Sequence, residues 1–183
     1  MPYFAVIDTE TNWKNELMSI GTVIADCETF KPVKVRYHII TPEYKVGGMF
    51  SDVLFDERLK HILCPKDDAI IDLVYLLKEY EVGSIFAYNA PFDRTLLPQL
   101  RCFDWYDIVR VAAYRQYNPK ITELDECCKT GRLKHDYGVE AMLRRMSGDF
   151  TYSETHNALY DALDELEIMR LLGYKPEIYT KMK

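Results

Sequence analysis

The sequence predicts a mixed α/β domain: a three-stranded antiparallel meander first, then alternating helix and strand, with helices flanking one sheet. Three observations carry this expectation. Val33–Ile40 alternates, with Val33, Val35, Tyr37 and Ile39 on one face and Lys34, Arg36 and His38 on the other, as in a strand with one wetter face. The run VGSIFAY over Val82–Tyr88 is short and uncharged, as expected of a central strand buried on both faces. Leu159, Ala162, Leu163, Leu166, Met169 and Leu172 recur at helical spacing and form one apolar stripe.

The remaining elements follow in order. Tyr3–Ile7 has no charge and reads as a buried strand, and Leu17–Ala25 (LMSIGTVIA) as its neighbour. Phe55, Leu59, Ile62 and Leu63 have the spacing of a short helix. A stronger helix follows Pro65, a residue suited to a first turn; Asp67 and Asp68 favour its positive end, and Ile70, Leu73, Val74, Leu77 and Tyr80 supply its apolar face. Pro91 opens another helix that ends near Leu97–Pro98, Phe103–Ile108 reads as a fifth strand, and helices are expected to dominate from there to Leu172. The domain is expected to span residues 1–174, with a short basic tail at 175–183.

A chain of 183 residues with 48% hydrophobic and 28% charged residues suits one compact domain and excludes wholesale disorder. No apolar stretch approaches the roughly 20 residues of a membrane span. The PYFAVI run lacks a basic leader and stops at Asp8, so cytoplasmic residence is expected and a membrane partner is not. Five cysteines, with no C-x-x-C pair, read as thiols in a reducing compartment; Cys127 and Cys128 near His135 are a weaker metal alternative. The net charge of −6 argues against binding nucleic acid by bulk attraction. It does not exclude a nucleic-acid enzyme, because bound cations reverse the local charge of an acidic site.

Three segments carry the chemistry. VIDTET places Asp8 and Glu10 at a strand end, two residues apart and therefore on one face. YNAPFDRTLL places Asn89 and Asp93 just past the central strand, where open α/β sheets bind ligands. THNALYDALDELEIMRLL places Asp161 beside an apolar stripe, where an unpaired carboxylate is costly to bury and a cation would relieve the cost. His156 precedes Asp161 by five residues. In one regular helix that spacing separates side chains by about 140°, so His156 reaches a common site only from the loop or first turn.

Together these segments resemble the signature of DnaQ-like exonucleases of the DEDDh type, which have a ribonuclease H-like fold. VIDTET matches the D-x-E-T box, NAPFDRTLL the N-x-x-F-D box and HNALYDA the H-x-A-x-x-D-A box, from Asp8 to about Leu172. The resemblance implies a mixed five-stranded ribonuclease H-like sheet and 3′→5′ hydrolysis of nucleic acid to nucleoside monophosphates. It also implies two divalent cations, for which hard oxygen ligands favour Mg²⁺, with Mn²⁺ as substitute. Carried over by position, Asp8 bridges both ions, Glu10 and Asp161 complete one site, and Asp93 holds the other largely through water. His156 deprotonates the attacking water, Thr11 helps position the terminal nucleotide, and Asn89 lies close to the substrate.

Asn12 and Trp13 depart from the small or glycine residue common after the first box. Trp13 reads as covering the core at a loop, with stacking on a terminal base as the alternative. The expected partner is the 3′ end of DNA or RNA. The basic residues Lys31, Lys34, Arg36, Arg110, Arg115, Lys129, Arg132 and Lys134 are candidate phosphate contacts, with Tyr114 and Tyr117 as stacking groups. Two alternatives stand beside the free exonuclease: an idle nucleic-acid- or partner-binding module, and a proofreading subunit of a polymerase. The sequence is compatible with a homodimer but does not call for one.

Overall fold

The computed structural model describes residues 2–181. Its centre is a mixed sheet of six strands in the order β4-β3-β2-β1-β5-β6. Strands β1 (Tyr3–Thr11), β2 (Leu17–Asp26) and β3 (Pro32–Ile40) form the expected antiparallel meander. The parallel strands are β4 (Ile62–Cys64) on β3, β5 (Ser84–Ala87) on β1, and β6 (Asp104–Asp107) on β5.

Alternation along β1 divides the interior into two cores. Phe4 and Val6 face one side, where helices α3 (Val109–Ala112), α4 (Val139–Ser147) and α5 (Ala158–Leu172) supply Val111, Met142, Leu159, Ala162 and Leu166. Ala5 and Ile7 face the other, where α1 (Lys66–Glu79) and the segment after α2 (Ala90–Leu96) supply Leu73, Leu77, Leu97 and Leu100. The start of the long helix α5 lies directly against the sheet at Gly21 of β2. A Cβ there would come within 1.9 Å of the Ala158 carbonyl oxygen, so the helix start rests on bare backbone.

Four sequence expectations are corrected. The sheet has six strands rather than five, because Ile62 and Leu63 belong to the edge strand β4 and not to a helix. Three-residue pairing to His38–Ile40 decides the conformation over the helical spacing of the side chains. The wetter face of β3 is also misassigned at its far end: His38 is fully buried beneath α1, whereas Val33 and Val35 are exposed on the stretch that β4 does not pair. Residues 113–138 are mainly irregular, tied by the isolated bridges Tyr114↔Arg132 and Cys127↔Leu133. Finally, the expected tail carries a short helix, α6 (Pro176–Thr180), whose buried Tyr179 meets Phe86 edge-on at 5.4 Å.

Among the described residues no helix is long and apolar enough to cross a membrane.

Candidate active site

Asp8 and Glu10 point from the end of β1 to the α5 side of the sheet. They follow Phe4 and Val6 in the strand's period of two. Helix α5 begins at Ala158 after its N-cap Asn157, whose side chain accepts the Leu159 amide and donates to Tyr37 and to the Val53 carbonyl. This anchorage fixes the first turn, and Asp161 projects from it inward. Ligand oxygens of Asp8, Glu10 and Asp161 lie within 4.8 Å of one another.

Asp93 arrives from the opposite layer. Asn89 takes a left-handed backbone conformation (φ 68°, ψ 47°) that turns the chain from β5 into α2, and Asp93 follows in the first turn. It is fully buried and accepts a hydrogen bond of 2.6 Å from the Thr9 hydroxyl, the β1 residue between Asp8 and Glu10. The Asn89 backbone amide in turn donates to Asp107 Oδ1 at 3.0 Å. Thr11 closes β1, next to the register shift after Glu10.

His156 stands before the N-cap, outside the regular helix, with φ 57°. Its ring stacks on Phe50, with centroids 4.1 Å apart and planes 18° from parallel. Nδ1 is 4.0 Å from Glu154 Oε2, and Glu154, His156 and Asp161 form a second group of converging ligand atoms.

The electrostatics are those of an uncompensated anion cluster. Burial holds the Asp8 carboxyl well above the ordinary range, and Asp93, Asp161 and Glu10 add to it. Burial followed by Glu154 pushes Glu10 up to about 8, and the same two causes push Asp161 to about 8. Burial pushes Asp93 up to about 7 against the opposing effect of the Thr9 hydroxyl. Asp8 Oδ2 and Asp161 Oδ1 are buried and have no hydrogen-bond partner among the described residues. Buried oxygens without donors, on acids that burial and mutual repulsion discharge, fit a hard divalent cation.

Sequence reasoning missed three members of this neighbourhood. Glu165, four residues after Asp161 on the same face of α5, is fully buried, and burial and then Asp8 hold its carboxyl well above the ordinary range. Its i+4 relation to Asp161 was the available signal. Glu154 and Phe50 carried no motif signal. Trp13 is 66% exposed and does not cover the core, so the preferred expectation for it is overturned. Cys127, Cys128 and His135 do not form a ligand group among the described residues.

No protein-family model matches the chain, and no curated protein matches it. Solved structures do. The nuclease domain of 3′hExo, described as a DEDDh family member bound to rAMP, is similar with a TM-score of 0.63 and 14% identity, over 92% of this chain and 90% of that one. A 3′-exonuclease in 3′-end specific recognition of a histone mRNA stem-loop gives 0.61 at 16% identity, over 94% and 64%. Escherichia coli Exonuclease I with a 5cy-dT13 oligonucleotide gives 0.65 at 15% identity, over 99% and 42%. This chain therefore spans less than two thirds of the second chain and less than half of the third. The chain shares its fold, a mixed sheet flanked by helices, with these 3′-exonucleases.

Proposed function

We propose that the protein is a 3′→5′ exonuclease dependent on two divalent cations, Mg²⁺ by preference, that releases nucleoside 5′-monophosphates from single-stranded DNA or RNA. The observation that carries this reading is the convergence of Asp8, Glu10 and Asp161 with two buried, partnerless carboxylate oxygens. Asp8, Glu10, Asp93 and Asp161 would hold the cations. When bound, such a pair of cations stabilises charge on the attacking and leaving oxygens of a phosphodiester.

The chain's own residues supply the rest. His156 accepts the proton of the attacking water, a task suited to a side-chain type that exchanges protons near neutral pH. The stacked Phe50 ring fixes the imidazole plane, and Nδ1 faces Glu154 Oε2 at 4.0 Å. Thr11 and Asn89, at the ends of β1 and β5, contact the terminal nucleotide. Thr9 holds Asp93 in place through its hydroxyl.

The test is digestion of matched 5′-labelled single-stranded DNA and RNA with Mg²⁺ and with chelator. A metal-dependent ladder shrinking from the 3′ end supports the reading and identifies the preferred sugar. No cleavage of either polymer or of dinucleotides would sink it and favour an idle binding module.

A further inference from the structure

The chain contains ten arginines, at 36, 58, 94, 101, 110, 115, 132, 144, 145 and 170. Six of them, Arg36, Arg58, Arg115, Arg144, Arg145 and Arg170, are held in ion pairs with neighbouring carboxylates. Of the other four, Arg94, Arg110 and Arg132 line one continuous surface. It consists of a cavity of about 500 Å³ that includes Asn89, Arg110, Tyr114, Arg132 and Tyr137, and a second of about 570 Å³ that includes Arg94 and Trp105. The two cavities share Pro91, Asp107 and Arg110.

In an acidic protein, this gathering of arginines outside the ion pairs, with Asp107 beside Arg110 as the groove's one acid, marks a place for an anion. The groove also starts at the site: Asn89 and Tyr88, which line it, are the residues that turn β5 into the helix bearing Asp93. Its one acid, Asp107, is turned to the backbone, where Oδ1 accepts the amides of Asn89 and Val109. Arg132 lies over the Tyr137 ring at 5.1 Å, a cation–π contact that places its guanidinium on the groove wall. Alternating guanidinium and aromatic groups in an open groove is the arrangement that tracks single-stranded nucleic acid, with phosphates on the cations and bases on the rings.

We infer that this groove carries the single strand 5′ of the terminal nucleotide, with Arg110 and Arg132 on backbone phosphates and Arg94 further along. The inference deepens the exonuclease reading, on which it depends only for the direction of the strand. The irregular segment 113–138 acquires a role by it: the Tyr114↔Arg132 bridge sets one wall of the track. Arg115 and Lys134, candidates from sequence, are instead tied to Glu123 and Glu126.

The test is fluorescence anisotropy of 5′-labelled single-stranded 12-mers, one DNA and one RNA, in chelator across a salt series, so that no turnover is needed. Arg110→Ala and Arg132→Ala should each weaken binding about fivefold at 0.1 M salt. Each should also flatten the plot of log affinity against log salt by about 0.7, the slope of one phosphate contact on a single strand. The comparison of DNA with RNA shows which sugar the track accepts. Arg170→Ala, remote from the groove, should bind like wild type. Wild-type affinity in both groove variants, or an equal loss in Arg170→Ala, overturns the track. If the groove variants lose binding while the wild type cleaves nothing, the exonuclease reading falls and the track stands. If cleavage proceeds and the groove variants bind normally, the reverse holds.

Discussion

Asp8 and His38 lie on opposite faces of one sheet, each a titratable group withdrawn from water, and their surroundings differ in kind. His38 is matched on one side: Nε2 sits 2.9 Å from Asp72 Oδ2, with which Arg36 also forms an ion pair at 3.0 Å, while Nδ1 has no partner among the described residues. Asp8 is opposed, with Glu10, Asp93, Asp161 and Glu165 as neighbours and no cation among the described side chains. Burial, with a smaller push from the Arg36 charge, depresses the His38 pKa, while Asp72 raises it in part. A fold that supplies a carboxylate to a buried histidine and leaves oxygens of Asp8, Asp161 and Glu165 without donors among the described residues suits the second place to a cation from solution.

The sharpest way to break this contrast is Asp8→Ala. Loss of this carboxylate should lower turnover by a factor on the order of 10³ or more. It should also abolish the rise in Tm that Mg²⁺ gives the wild type. Retained activity with an intact Mg²⁺ shift would remove Asp8 from the site. His156→Ala comes next, with kcat reduced by about 10²–10⁴ while the Mg²⁺ shift persists, since Asp8, Glu10, Asp93 and Asp161 remain in place. An unchanged kcat would assign the proton transfer elsewhere.

A milder effect separates the two regions by pH. In the chelated protein Glu10 and Asp161 keep their protons to about 8 and Asp93 to about 7, whereas the unfolded chain releases them near 4. The folded state therefore binds more protons in that interval, and stability falls as pH rises through it. His38 acts in the opposite sense. Its lowered pKa means the unfolded state takes up a proton first, so stability falls as pH drops below about 6.5. Tm in chelator should thus decline from pH 6.5 to 8, and saturating Mg²⁺ should flatten that decline. A rising Tm over the same range would contradict the anion cluster. Smallest of all, His38→Leu should change stability at pH 8 by only about 1 kcal/mol. It should soften the loss below pH 6.5 and leave turnover alone; an acid limb identical to wild type would show that His38 does not set it.

The meander and the three motif segments were legible because each depends on local spacing: alternation in β3, the pair Asp8 and Glu10 on one strand face, the apolar stripe of α5. What stayed hidden depends on distant pieces of chain. Phe50 lies 106 positions from His156, so its ring contact leaves no trace in local sequence. The edge strand β4 imitates a helix because pairing to His38–Ile40, not its own side chains, decides its conformation. Tyr179 looked like part of a basic tail, yet one aromatic contact with Phe86 seats it in the core. Among the acids, Glu165 was the recoverable omission, since a second carboxylate one turn beyond Asp161 cannot avoid the same interior.

Gly21 pairs with Asp8 across β1 and β2, and directly above it the Ala158 carbonyl occupies the space a methyl would need. The gauge that sets how far Asp161 stands from Asp8 is therefore a missing atom. Alanine there would work like a shim slipped under a bearing, tilting the whole of α5 to clear one carbon. Ångström-scale tolerance in the chemistry is in this way delegated to a residue that has no chemistry of its own.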